Sequence, residues 1–492
     1  MIDPTTLLIT ALLLPLICAL LVGVCRNAPV LRDAVTLVTS VLLAATVWLL
    51  LPHILAGARP SLLLGYITPK LSVAFTLEPL GMVFALVAGT LWSISSLYAI
   101  GYMRANKEPR LTTFFICFAV AIFATMGIAF AANLTTFFIF YEILTLSTYP
   151  LVTHAGTPAA MAAGRKYLGI LLATSMGLLL PAIVITGQWA GTLDFVAGGS
   201  LDSNITPIFL SGLLVLFVFG IGKAAVMPVH FWLPAAMVAP TPVSALLHAV
   251  AVVKAGVFGI VKVVVYIFGL GLLARHSVFD WLTYVAGFTI IFASIIALLQ
   301  DNLKKRLAYS TVSQLSYIVL AASLFTPAAL IGAVLHICAH AVSKITLFFA
   351  AGNIYTVAHK TEVSQLNGIG RKMPYTMGAF AIGAIAMIGL PPTAGFLGKW
   401  FILSGAAGTQ NNFAIFVIIC STLLNAAYFL PIIFRAFFMT ASLDSHGKAT
   451  VTTAEDAPIF MLIAIMATAT LTVLMFFFPD IPLSLARSML GA

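Results

Sequence analysis

Five lysines and one glutamate lie in stretches too apolar to solvate a charge: Glu142, Lys223, Lys254, Lys262, Lys344 and Lys399. On insertion scales each lysine at mid-bilayer depth costs about 2.5–3.5 kcal/mol, so such residues are kept for ion or proton paths. The densest group runs from Gly220 to Lys262, where Lys223, His230, His248, Lys254 and Lys262 are interleaved with Pro228, Pro234, Pro240 and Pro242. Proline removes a backbone donor, and freed carbonyls are tolerated at that depth only where protein or water satisfies them. The chemistry these residues can perform is proton or cation translocation.

A lone buried carboxylate must be protonated or paired. Glu142, in FFIFYEILTLSTYPLV, therefore expects one of the buried lysines as partner; spacing alone does not select among them, and Lys223 is the first candidate. In HICAHAVSK, His336, His340 and Lys344 follow at i, i+4 intervals, a stripe about 12 Å long on one helix face. Imidazole both gives and accepts near neutral pH, so the stripe can pass protons, or it can serve as a set of interhelical hydrogen bonds. His248 and Lys254, six residues apart, face different ways. Lys262 stands near a helix end, where it can line the path or snorkel. His230 can occupy a helix gap or satisfy freed carbonyls. Lys399 follows MIGLPPTAGFLG, a second Gly/Pro-loosened stretch. Paired interrupted helices in two halves point to an inverted-repeat transporter, against the alternative of two ordinary proline kinks.

The elements that must hold these residues are helices. Of 492 residues 62% are hydrophobic and 8% charged, far below the roughly 25% of a soluble domain. Runs of about 20 apolar residues recur along the chain, and barrel-type alternation does not. The expected class is an all-α polytopic membrane protein forming a single transmembrane domain over residues 1–492. Fourteen spans are expected near 5–25, 31–54, 78–103, 112–132, 134–154, 163–188, 206–239, 241–270, 277–300, 306–323, 327–355, 375–403, 411–438 and 456–479. Residues 59–77 read as a hairpin outside the membrane, and DNLKKR (Asp301 to Arg306) as a cap and anchor at the inner interface. The N-terminal Met-Ile-Asp-Pro carries no basic region, so the first run reads as a retained span.

The net charge of +10 sits in short loops. One set holds fifteen lysines and arginines from Arg26 to Lys448, the other only Arg59, Lys70, Arg275 and Arg487, which places both termini on the outer face of the cell membrane. This is topogenic bias and does not indicate nucleic acid. Cys18, Cys25, Cys117, Cys338 and Cys420 form no CxxC pair, so neither an iron–sulfur cluster nor a metal site is expected, and no cofactor or catalytic centre either. Thr145, Ser147 and Thr148 offer oxygen ligands after Glu142, but hydroxyls of this kind are generic. A solute symporter would need a substrate pocket, and a titratable row with one acid disfavours it.

The motifs YEILTLSTYPL, GKAAVMPVHFWLPAAMVAPTPVSALLHAVAVVKAG, DNLKKRLAYSTVSQLSY, HAVSKITLFFAAGN and GLPPTAGFLGKW make the chain resemble the antiporter-like subunits of the respiratory complex I membrane arm, of membrane-bound hydrogenases and of Mrp-type cation/proton antiporters. The resemblance covers residues 135–400 by motif and the whole chain by hydropathy. It implies fourteen helices in two inverted five-helix repeats, about 112–270 and 277–438, with broken helices 7 and 12. It implies that Glu142 pairs with Lys223, that His248 and Lys254 form a relay, that His336, His340 and Lys344 lie on helix 11, and that Lys399 exchanges protons with the outer face; His230 and Lys262 are accessory candidates from the residue reading alone. One complex I branch carries glutamate at the Lys399 position, and no long lateral helix follows the last span. The likeness is nearest to the D-type component of Mrp antiporters, a partner among other membrane subunits moving protons and Na+ or K+. The alternative it leaves is a pumping subunit of a complex I-like NADH:quinone oxidoreductase or hydrogenase.

Overall fold

Inside a bilayer a chain must satisfy its own backbone polar groups, and an apolar stretch does so as a helix. The computed structural model obeys this throughout. It describes residues 3–69, 71–202, 204–440 and 455–491; Lys70, Lys448 and the side chains of 247–250, His248 among them, lie outside the described residues. The helices are α1 (Pro4–Val24), α2 (Pro29–Leu55), α3 (Pro79–Ala105), α4 (Leu111–Phe130), α5 (Leu134–Val152), α6 (Pro158–Ala190), α7 (Pro207–Gly220), α8 (residues 241–268), α9 (Trp281–Leu299), α10 (Leu303–Ser323), α11 (Pro327–Ala358), α12 (Pro374–Ile388), α13 (Ala394–Gly408), α14 (Asn412–Phe438), α15 (Ile459–Phe477) and α16 (Asp480–Met489). Ten helices among the described residues are long and apolar enough to cross a membrane.

Local chemistry sets the helix starts. Proline stands at the first position of α1, α2, α3, α6, α7, α11 and α12, where its missing N–H is not needed. Asn133, Thr157, Asn302, Thr326 and Asn411 cap their helices by accepting from the backbone N–H three residues on. The DNLKKR segment caps its helix and ties it to neighbouring segments. Asn302 is the cap, Asp301 accepts from Ser364 Oγ at 2.6 Å, and the buried Arg306 donates to the Gln300 and Tyr428 carbonyls.

Two elements add to the all-α description of the sequence. Residues 59–77 are indeed a hairpin, and it is an antiparallel β pair, Ser61–Thr68 with Leu71–Thr76. Its second strand is stitched to the start of α5, because Thr136 Oγ1 accepts from the Ala74 N–H at 2.9 Å. The second is α16, a short amphipathic helix that hydropathy alone does not reveal; it buries Leu485, Ala486 and Met489 against α3 and α11.

Both expected interruptions are present. Past Gly220, α7 gives way to a single turn, Gly222–Ala224, and a short irregular helical stretch, Val229–Val238, with Ala225 in the left-handed region at φ 55°. Further along, α12 ends at Gly389 (φ 92°), Pro391 and Pro392 follow, and α13 starts at Ala394. Between the two breaks in sequence lies α11, buried along most of its length and packed on α10, α12, α13 and α15.

Candidate functional site

The first break exists to deliver Lys223. A side chain at position 256 of α8 would place its Cβ 2.2 Å from the Ala224 nitrogen and 2.3 Å from the Lys223 carbonyl carbon, so Gly256 lets the helix touch the Lys223 turn backbone to backbone. Trp232 Nε1 donates to the Gly222 carbonyl at 3.0 Å and satisfies one of the groups the break frees. The Lys223 backbone N–H donates to the Tyr141 hydroxyl at 3.1 Å.

Fully buried, the Lys223 ammonium donates to the Tyr141 carbonyl at 2.8 Å and Thr145 Oγ1 at 2.6 Å, with its Nζ 3.1 Å from the Tyr141 ring centroid. It makes no ion pair with Glu142 within 4 Å. The expected direct pair is thus absent from this structure, and helix geometry explains it. Positions 141 and 145 share a face, whereas 142 points about 100° around the helix. The Glu142 oxygens are buried without a hydrogen-bond partner and act on Lys223 only through space.

On α11, His336 and His340 stand with ring centroids 6.2 Å apart, and the His336 ring is 5.6 Å from that of Tyr317. All four imidazole nitrogens and Lys254 Nζ are buried without hydrogen-bond partners. Lys254 acts electrostatically on His336, His340 and Lys344, so the α8 lysine and the α11 row form one cluster. Each unsatisfied buried polar atom costs about 1–3 kcal/mol unless water meets it, which makes this the part of the interior that most demands hydration.

From Lys344 to Lys399 the contact is continuous. Lys344 Nζ donates to Ser310 Oγ at 2.8 Å, and the Tyr428 hydroxyl lies 3.0 Å from the same oxygen while donating to Asn425 Oδ1. Asn425 Nδ2 and Gln314 Nε2 both donate to the Met387 carbonyl, at 3.2 and 3.3 Å. Lys399 Nζ closes the series on the carbonyls of Met387 (3.0 Å) and Ile388 (2.9 Å), the last residues of α12. Helix-terminal carbonyls have no intrahelical partner and carry the negative end of the dipole, so a lysine there is well placed. Ser310, Gln314, Asn425 and Tyr428 are not singled out by the sequence reading. The available signal is an amide and a phenol three residues apart in the largely apolar α14, just after Ser421 and Thr422.

The structure also places the two accessory candidates. Lys262 is buried and turns inward to the Ala131 carbonyl (2.6 Å) and to Glu78 (3.7 Å), because the start of α3 and the end of α4 meet beside it. His230 sits in the break with its ring against Phe231 and close to the Pro228 backbone, while Trp232 serves the Gly222 carbonyl. A cavity of about 410 Å³, lined by Tyr102, Glu108, Lys304, Tyr355 and Lys360 among others, opens at the start of α8 on the side of the basic loops.

Residues 131–425 match the family described as NADH:quinone oxidoreductase/Mrp antiporter, TM. The chain is 33% identical over 379 residues to NADH-quinone oxidoreductase subunit N of Desulforudis audaxviator (strain MP104C), covering 75% of this chain and 74% of that one. It is 31% identical over 348 residues to the A/B component of a probable K(+)/H(+) antiporter of Rhizobium meliloti (strain 1021), covering 70% of this chain but only 34% of that longer protein. A chain of the Mrp complex from Dietzia sp. DQ12-45-1b shares the fold at TM-score 0.86, with 20% identity, over 100% of this chain and 97% of that one. Shared fold, matched core and interrupted helices agree: the chain belongs to the family of transmembrane subunits common to NADH:quinone oxidoreductases and Mrp antiporters.

Proposed function

We propose that this chain is the proton-translocating subunit of a multi-subunit Mrp-type Na+/H+ antiporter, built as fourteen spans with inverted repeats at about 112–270 and 277–438 and both termini on the outer face. The observation that carries the reading is the pair of lysines, Lys223 and Lys399, each held by oxygens beside a helix break, with Lys254, His336, His340 and Lys344 between them. Protons pass from Glu142 and Lys223, by way of His248 and Lys254, along the α11 row to Lys399. A carboxylate near Lys223 favours its charged form, so a partner protein or cation that draws Glu142 away eases proton release. In inverted vesicles, Glu142→Ala and Lys223→Ala should each abolish cation-driven proton movement; retention of transport in both would refute the path.

The second reading is a pumping subunit of a redox-driven complex, favoured by the identity to oxidoreductase subunits. Purification of the intact assembly separates the two. Companion small membrane subunits support the antiporter, and iron–sulfur or quinone-site subunits the redox machine.

A further inference from the structure

Where α12 ends, two helix-end carbonyls meet polar side chains from three other helices. The Met387 and Ile388 carbonyls face Lys399 Nζ at 3.0 and 2.9 Å. Gln314 on α10 and Asn425 on α14 reach the same Met387 carbonyl with their amide nitrogens. Gln314 Oε1 and Ser421 Oγ, one turn before Asn425 on the same face, are buried without hydrogen-bond partners. An amide turned by 180° about its terminal torsion exchanges nitrogen for oxygen, so Gln314 and Asn425 can present either a donor or an acceptor here.

Resting on the proposed exchange function, we propose that this cradle is an alkali-cation site, occupied alternately by the Lys399 ammonium and by a dehydrated Na+ or K+. With Lys399 protonated, its N–H groups fill the helix-end carbonyls and the amides point their nitrogens inward. When Lys399 gives up its proton, the neutral amine withdraws from the carbonyls. One cation then enters, the amides turn their oxygens inward, and the charge of the pocket is unchanged. Two positive charges together in this buried space repel too strongly to coexist, so proton and cation exclude one another. Among the described residues no group of three or more His, Cys, Asp or Glu could hold a metal, and an all-neutral oxygen set suits a monovalent cation better than a divalent one. The titratable groups facing Lys399 are Tyr317 on α10, with its ring centroid 4.9 Å from Nζ, His336 on α11, and Tyr428 on α14 behind Asn425. No carboxylate is among them.

The test is equilibrium binding of radioactive Na+ to the detergent-solubilised intact complex, with choline balancing ionic strength. Competition requires affinity to rise tenfold per pH unit while Lys399 carries a proton. In Lys399→Ala that dependence should vanish and binding should persist at low pH. Asn425→Leu, which keeps the lysine, should weaken binding at least tenfold at high pH and serves as the second variant if the first does not assemble. Wild-type binding that is indifferent to pH, pH dependence surviving in Lys399→Ala, or unchanged binding in Asn425→Leu each overturns the proposal. Proton movement in choline medium, followed with a pH dye, is scored separately. Its failure to appear when Na+ replaces choline in the wild type refutes the transport function without bearing on the binding result.

Discussion

Gly256→Ala tests whether Lys223 must sit where the first break puts it. The added methyl would meet the Ala224 nitrogen at 2.2 Å and the Lys223 carbonyl carbon at 2.3 Å, both backbone atoms that cannot swing aside. Helix and turn must part by about 1 Å to reach ordinary contact, at a cost of about 1–3 kcal/mol of overpacking. The same displacement stretches the Lys223 Nζ–Thr145 contact from 2.6 Å past hydrogen-bond range. A misplacement of about 1 Å in a proton-transfer group costs on the order of a hundredfold in rate. The assay is dye-reported proton uptake by inverted vesicles on cation addition, normalised to the amount of assembled complex. Gly212→Ala, whose methyl would meet nothing within 4 Å, is the matched control. A Gly256→Ala complex that assembles and transports at the control rate would refute the claim that the position of Lys223 limits the path.

Tyr428→Phe removes the hydroxyl between Ser310 and Asn425 and should slow proton flux about tenfold, and by leaving the buried Asn425 Oδ1 without its donor it should cost about 1–3 kcal/mol, read as a lowered melting temperature. Asp33→Asn leaves Arg32, buried and paired at 2.8 Å, without its counter-charge and should cost about 3–5 kcal/mol, read as a lowered melting temperature of the complex. The exposed Asp301 carboxyl is held below the usual carboxylate range by the Ser364 hydroxyl, so its contribution is present above pH of about 4 and lost as pH falls through its lower folded value. Ser364→Ala should therefore reduce thermal stability at neutral pH and converge with the wild type on acidification; a constant gap down to strong acid contradicts this.

Much of the architecture can be read from the chain because the bilayer leaves few choices. A long apolar run becomes a helix, and Gly/Pro clusters mark where it cannot continue, as at Gly220 and Gly389. What cannot be read is which way a side chain turns about its helix. Charge alone pairs Glu142 with Lys223, but rotation by one residue hands the ammonium to Tyr141 and Thr145. Lys262 reads as free to reach the interface because nothing local announces that Ala131 and Glu78 arrive beside it. The Ser310–Tyr428–Asn425 series joins helices more than a hundred residues apart, and α16 is too short and too polar for a hydropathy signal.

The seam between α11 and α13 has a mechanical consequence. Methyl groups at Gly332, Gly398 or Gly405 would fall within 3 Å of the opposing helix's backbone, so the rods bearing His336 and Lys399 are in near-direct contact. Rods seated this closely have no room to slide or tilt past each other. Whatever moves during turnover at this end is a swinging lysine arm and turning amides inside a fixed frame, and a cross-link across the seam should leave the cycle running.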